Sequence, residues 1–287
     1  MSPPVLLMLA IFLWSTAFVA IRIALQDYSP GSVALFRFLI ASLCLLGPYL
    51  KLSKRQPINL RTTWLLFLIG PIGIAGYSLL LNQGELAISA GIACFVVSLT
   101  PVFSSVLAIL ILKESASPKL FLGLGVSFLG LLLIALGDIQ NLQYEFALLL
   151  VLMAAFFGAI QSISQKIVLR YLSGLEVVAL GTWFAALVLL VYSRDLIQDF
   201  QMASWNTTLA CLYLGIIPSF VAQWCWSHAL SNTQLVHANS YLFAMPLLTT
   251  LIGFMILGEV PAGLSFAGGL VALFGAFLSI RLKILKP

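Results

Sequence analysis

Polar positions in this chain are rare and gather in short clusters, and between them the residues are apolar over long runs. Charged and turn-forming clusters cut the 287 residues into ten such runs, near 4–25, 30–50, 62–83, 89–112, 118–137, 144–167, 174–193, 205–228, 234–257 and 262–282. A helix needs roughly 20 apolar residues to cross the hydrocarbon core. The pattern therefore predicts an all-α integral membrane protein with ten transmembrane helices, and nothing long enough for a soluble domain lies between them. The first run is read as a span, because it is too long for a signal segment and ends in "AIRIALQDYS" without a small-x-small cleavage site.

One pattern occurs twice. "TPVFSSVLAILILKE" runs from Thr100 to Glu114 and "MPLLTTLIGFMILGE" from Met245 to Glu259. Sliding the chain by 145 residues places Pro101 on Pro246, Glu114 on Glu259, Gly123 on Gly268 and Gly130 on Gly275; a slide of 144 places Arg22 on Lys166. The chain reads as two five-helix repeats, 1–140 and 141–287. Five is odd, so the second repeat enters the membrane from the opposite side, and the topology is inverted. Inverted repeats are typical of secondary transporters, with substrate bound near the midplane where the halves meet. Pro101 and Pro246 lie mid-span. Proline lacks an N–H and clashes with the carbonyl four residues back, which frees the carbonyls of Val97 and Leu242. At membrane depth these need protein or a wet cavity, so both bent helices are expected to line the cavity. Pro71 and Pro218 are also mid-span, and for them cavity and simple tolerance stay open.

Composition fits this picture: 62% of residues are hydrophobic and 8% charged, against about 25% charged in a soluble domain. The net charge of +5 is scattered over short loops, which argues for topology and against nucleic acid. With the N-terminus inside, one set of loops carries Lys51, Lys54, Arg55, Arg61, Lys113, Lys119, Lys166, Arg170, Arg281, Lys283 and Lys286, while the other carries Arg22 and Arg194. The positive-inside bias then puts both termini in the cytoplasm. Cys44, Cys94, Cys211 and Cys225 all fall in spans, without metal or redox spacing.

The quoted segments, with "IFLWSTAFVAIRIAL", "SPGSVALFRFLIA", "NQGELAISAGIACFVVSLTPVFSSVLAILILKE" and "HANSYLFAMPLLTTLIGFMILGE", resemble the EamA-type members of the drug/metabolite transporter superfamily over nearly the whole chain. The resemblance implies a ten-helix secondary transporter without bound cofactor, in a family that moves amino acids, other metabolites, nucleotide derivatives or quaternary amines, with many bacterial exporters. Single-repeat multidrug relatives use a first-helix carboxylate for proton coupling. Here the first helix has no Asp or Glu between Val5 and Leu25, a departure that speaks against proton-coupled expulsion of cationic drugs.

Polar side chains inside spans mark candidate sites. Cys94, Ser98, Pro101 and Ser105 share a helical face, and the matching positions are Asn239, Phe243, Pro246 and Thr250. Gly158, Gln161 and Gln165 form another stripe, and Ser219, Gln223 and Trp226 a third. The expected substrate contacts are Trp14, Tyr77, Ser98, Gln161, Gln223, Trp226, Asn239, Tyr241 and Phe243, with Asn82 also polar at depth. Each Ser, Cys or Thr has the plainer reading of a packing residue bonded to its own helix. Arg37 lies about seven residues into its span, roughly 10 Å deep by helix rise. Snorkelling or pairing with Asp27, Glu85 or Glu259 is set ahead of contact with a substrate carboxylate. Pro101, Pro246, Glu114 and Glu259 are assigned to bending and gating. Gly123, Gly130 and Gly137, and Gly268 with Gly275, are read as packing grooves. His228 and His237 make a poor metal site.

The sequence thus predicts a monomeric inner-membrane transporter, an exporter by alternating access, of a small neutral or zwitterionic metabolite such as an amino acid. A quaternary amine such as choline, held by aromatic faces, is the alternative. An intramembrane enzyme would need a nucleophile–base pair or metal ligands at depth, and none is found. No phosphate loop appears.

Overall fold

The computed structural model describes residues 2–52, 56–112, 118–136, 142–233, 235–260 and 263–284. Its helices are α1 (Pro3–Ala24), α2 (Pro30–Leu50), α3 (Leu60–Phe67), α4 (Tyr77–Gly84), α5 (Ala90–Val97), α6 (Thr100–Leu112), α7 (Pro118–Leu136), α8 (Leu142–Val168), α9 (Gly174–Leu189), α10 (Ser193–Met202), α11 (Trp205–Leu214), α12 (Gln223–Ser231), α13 (Leu235–Ser240), α14 (Met245–Leu257) and α15 (Gly263–Ile284). Among the described residues there is no strand, and the protein is an all-α, multi-pass membrane protein.

Six helical segments are long and apolar enough to cross a membrane: Pro3–Ala24, Pro30–Leu50, Leu60–Gly84, Gln143–Val168, Gly174–Met202 and Trp205–Ser231. Ala90–Ser104, Tyr241–Leu257 and Phe266–Gly275 are shorter apolar helices. Their ends are set by local chemistry. Ser29 and Ser89 accept from the backbone N–H groups of Ser32 and Ile92, and Pro30 sits in the first turn where its missing N–H does no harm. Ser173 with Glu176, and Asn59 with Thr62, form capping boxes. Gly258 closes α14 at φ 68°, a conformation that glycine adopts without strain.

Four segments depart from α-helix at mid-span. A π-helical stretch, Leu68–Gly76, joins α3 to α4 around Pro71, and another, Gly215–Ala222, joins α11 to α12 around Pro218. The helix expected without a break over 89–112 is interrupted at Ser98–Leu99, between α5 and α6. A 3-10 stretch, Tyr241–Ala244, separates α13 from α14. All four fit the proline rule, since each proline leaves a carbonyl without its helical donor. At one break the vacancy is filled locally: the Thr100 hydroxyl donates to the Val97 carbonyl at 2.6 Å.

α7 and α15 pack against each other as a pair. A Cβ on Gly130 would stand 2.2 Å from the Ala272 nitrogen and 2.6 Å from the Gly268 carbonyl oxygen. One on Gly275 would stand 2.3 Å from the Ser127 nitrogen and 2.8 Å from the Gly123 carbonyl oxygen. The Ser127 hydroxyl donates to the Ala272 carbonyl at 3.2 Å. Backbone therefore meets backbone here, the close approach that small residues permit in lipid. Gly137 and Glu114 lie outside the described residues.

Candidate functional site

The spans enclose a cavity of about 150 Å³. Its wall comes from α1 (Trp14, Phe18, Ile21), α2 (Arg37), the Pro71 and Pro218 segments and the helices that follow them (Tyr77, Leu81, Ser219, Gln223, Trp226), the Ser98 break (Val97, Ser98, Thr100), α8 (Gly158, Gln161, Ser162, Gln165) and the second break (Leu242, Met245). Each of the four mid-span interruptions thus reaches the wall, where irregular backbone can be tolerated at membrane depth.

Arg37 is the charged residue of this wall. It is 8% exposed, and its Nε donates to the Ser219 hydroxyl at 2.9 Å. The guanidinium carbon stands 5.0 Å from the Phe38 ring centroid. This corrects the expectation of snorkelling or ion pairing. Asp27 is engaged by the Ser204 backbone N–H and the Thr207 hydroxyl, hydrogen bonds that hold its carboxyl below the usual range. Glu259 is taken by Arg22. Among the described residues, Ser219 is the hydrogen-bond partner of Arg37, which leaves most of a five-donor fork facing the cavity.

Trp14 and Trp226 meet with ring centroids 5.2 Å apart, tilted by 49°. The Trp14 indole N–H donates to the Pro218 carbonyl at 3.2 Å, which fixes that ring. Gln161, Gln165 and Gln223 bring amides to the wall, and among the described residues their side chains make no hydrogen bond to protein. The hydroxyls are quieter: Ser98 donates to the Cys94 carbonyl at 2.9 Å and Ser162 to the Gly158 carbonyl at 2.8 Å. Sequence reasoning overlooked Thr100, Ser78 and Ser162, all on the wall; small hydroxyls next to a proline or a stripe glutamine were the available signal.

Three expected contacts sit elsewhere. Asn239 is buried off the cavity, donating to the Ser104 hydroxyl at 3.2 Å. Phe243 packs edge-on against Phe277 at 6.3 Å. Tyr241 lies in the 3-10 stretch, half-buried and off the wall. Packing is the physical reason. α6 takes Asn239 through Ser104 and α15 takes Phe243 through Phe277, so that face turns to neighbouring helices and Leu242 and Met245 form the wall instead. Pro101 and Pro246 are themselves buried behind the wall that the preceding residues form.

Polar ties close the bundle at both ends. At one end Arg22 Nε pairs with Glu259 Oε1 at 2.9 Å, Arg22 Nη1 donates to the Glu85 carbonyl, and Glu259 Oε2 accepts from the Ala90 N–H at 3.0 Å. At the other end Lys166 donates to the carbonyls of Leu230 and Thr233 at 2.8 and 2.7 Å. Asn82 donates to the Pro30 carbonyl and Ser227 to the Gly174 carbonyl. His228 is exposed and stacks on Trp224, and among the described residues no cluster could hold a metal.

The EamA-like transporter family model matches the chain twice, over residues 1–136 and 145–281. The chain belongs to the EamA-like transporter family. Among similar proteins, an uncharacterized transporter of Bacillus subtilis (strain 168), YdfC, is 34% identical over 93% of this chain and 87% of its own. A probable terminal-alkyne amino-acid exporter of Streptantibioticus cattleyicolor is 30% identical over 96% of this chain and 92% of its own. A probable amino-acid metabolite efflux pump of Escherichia coli (strain K12) is 23% identical over 96% and 94%. A crystal structure 21% identical in sequence shares the fold, with a TM-score of 0.69 over 99% of both chains. This EamA-like protein is a transporter and not an enzyme.

Proposed function

We propose that this protein exports a zwitterionic, amino-acid-type metabolite by alternating access between two inverted five-helix repeats. The observation that carries the reading is the Arg37 guanidinium, buried in the wall of a cavity that also holds a tryptophan pair and three amides without a protein partner among the described residues. A planar fork of donors suits a carboxylate. The faces of Trp14 and Trp226 suit an ammonium, and Tyr77, Gln161 and Gln223 orient the rest. A cation without a carboxylate, such as choline, would meet the same aromatic faces but be repelled by Arg37. Two similar proteins that are described as amino-acid or amino-acid metabolite exporters agree in substrate class and direction.

Reciprocal contacts favour the two inverted repeats, 1–140 and 141–287. Gly130 reaches Gly268 as Gly275 reaches Gly123; Arg22 bonds the Glu85 carbonyl as Lys166 bonds that of Leu230; Asn82 bonds Pro30 as Ser227 bonds Gly174. In the last two cases the second pair is the first shifted forward by 144 or 145 residues, and in the glycine case the partners move by 145 in opposite directions and exchange repeats, as a two-fold relation requires. In a plasma membrane with both termini cytoplasmic, the Arg22–Glu259 tie closes the outer mouth.

The test is counterflow in proteoliposomes with a panel of amino acids, their decarboxylated amines, and choline. Exchange of one or more amino acids, with their amines excluded, is the expected result. Exchange of choline or amines with amino acids excluded would overturn the substrate assignment.

A further inference from the structure

Glu85 lies in the turn Glu85–Ser89 between α4 and α5, where a carboxylate ordinarily faces water. It is instead 0% exposed, and among the described residues neither carboxylate oxygen has a hydrogen-bond partner. The charged and titratable groups around it come from every neighbouring element: Arg22 from α1, Arg37 from α2, Tyr77 from α4, Cys94 from α5 and Glu259 from beyond α14. The nearest cation is committed elsewhere. Arg22 gives Nε to Glu259 and touches Glu85 only through the main-chain carbonyl. Three residues earlier, Asn82 Oδ1 is a second buried acceptor without a donor. Residues at i and i+3 share a helix face.

An ionised carboxylate in such a place loses its hydration and gains no donor, and it faces a second carboxylate, Glu259. Desolvation raises the affinity of Glu85 for a proton more than Arg22 and Arg37 lower it. The neutral acid suits the site, since its O–H is a donor one turn from the orphaned Asn82 acceptor.

We propose that Glu85 is a proton-binding site built into the Arg22–Glu259 gate, holding a proton while that end is closed and releasing it to water when that end opens. The gate's role in transport rests on the reading above; the proton site does not. Loss of the proton in the closed form leaves a bare carboxylate that competes with Glu259 for Arg22 and loosens the tie between α1 and α14. By linkage, the closed form's advantage is complete below the ordinary carboxyl range, falls by about tenfold per pH unit as pH rises from there to the raised pKa, and is lost above it. Rising pH therefore opens the Arg22 end.

Two measurements on the full chain in phosphatidylethanolamine–phosphatidylglycerol vesicles test this, and neither uses a transported substrate. Infrared difference spectra between about pH 5 and about pH 9, a range clear of ordinary carboxyls, should show a protonated-carboxyl C=O band that is lost on raising the pH and absent in Glu85→Gln. Leu81→Cys, on the cavity wall one turn from Glu85, should react with a membrane-impermeant thiol reagent faster as pH rises. Its rate is normalised to the exposed Met202→Cys so that thiolate formation cancels. In a Glu85→Gln background the normalised rate should become flat. Identical spectra for the parent and Glu85→Gln, or an unchanged normalised pH dependence, would overturn the proposal. Should Glu85→Gln misfold, Glu85→Asp replaces it: a displaced carboxyl band supports the site and an unmoved one refutes it. A null result in the counterflow panel would leave these readouts intact.

Discussion

Replacing Arg37 with Gln tests the substrate assignment at its centre. The side chain is buried, with one hydrogen bond to Ser219 at 2.9 Å and the rest of its fork toward the cavity. If that fork holds a carboxylate, removing it strands a charge in a desolvated site, which costs on the order of 2–5 kcal/mol. At about 1.4 kcal/mol per decade, the lower figure already weakens binding about 30-fold. Stability moves the other way. A charged residue at membrane depth costs about 2.5–3.5 kcal/mol on insertion scales, and the Gln amide can replace the bond to Ser219, so Arg37→Gln should fold at least as well as the parent. Counterflow of a labelled amino acid identified from the panel gives KM, and the yield and thermal unfolding of purified protein give stability. The expected outcome is a KM raised about 30-fold or more with stability level or higher. Arg37→Lys, which keeps the charge but not the planar fork, should fall between. A parent-like KM in Arg37→Gln would refute the carboxylate anchor.

Other outcomes follow from the same structure. Gly130→Ala should lower the unfolding temperature, because its Cβ would stand 2.2 Å from backbone and overpacking costs about 1–3 kcal/mol; Gly125→Ala, with nothing within 4 Å, should be neutral or stabilising. Pro101→Ala and Pro246→Ala restore a backbone N–H beside breaks whose residues line the cavity. Both should slow transport without loss of stability, and parent-like transport in both would reduce the prolines to packing features. Cysteines at Arg170 and Asp199 should label from the cytoplasmic and outer sides respectively, and reversed labelling would invert the proposed topology.

The spans and much of the cavity wall were legible because membrane depth makes polar residues conspicuous. Gln161, Gln165, Ser219, Gln223 and Trp226 stood out as stripes at helical spacing, and all reach the wall. A stripe shows which residues share a face but not which neighbour takes it. Asn239, Phe243 and Pro246 all leave the wall, with Asn239 bonded to Ser104 of α6 and Phe243 packed on Phe277 of α15. Pro71 and Pro218 gave an ambiguous signal, since a lone mid-span proline does not distinguish a tolerated kink from a π-helical wall segment. Arg37 was visible as an anomaly, but its partner Ser219 lies 182 positions away, beyond any local pattern. Glu85 was weighed only as a partner for Arg37, because its burial comes from the packing of other helices and leaves no mark in the local sequence.

At its tightest points the contact between α7 and α15 brings glycine against main chain. Backbone has no rotamers, so this seam cannot thicken or thin as side-chain seams do. Whatever moves across it must roll on a line of fixed separation through Ser127 and Ala272. If the two repeats alternate access as proposed, this seam is their fulcrum, and a rigid body turning on a fulcrum widens at one end by the angle through which it narrows at the other. The two mouths would then be geared to each other along this edge, without a message having to cross the cavity.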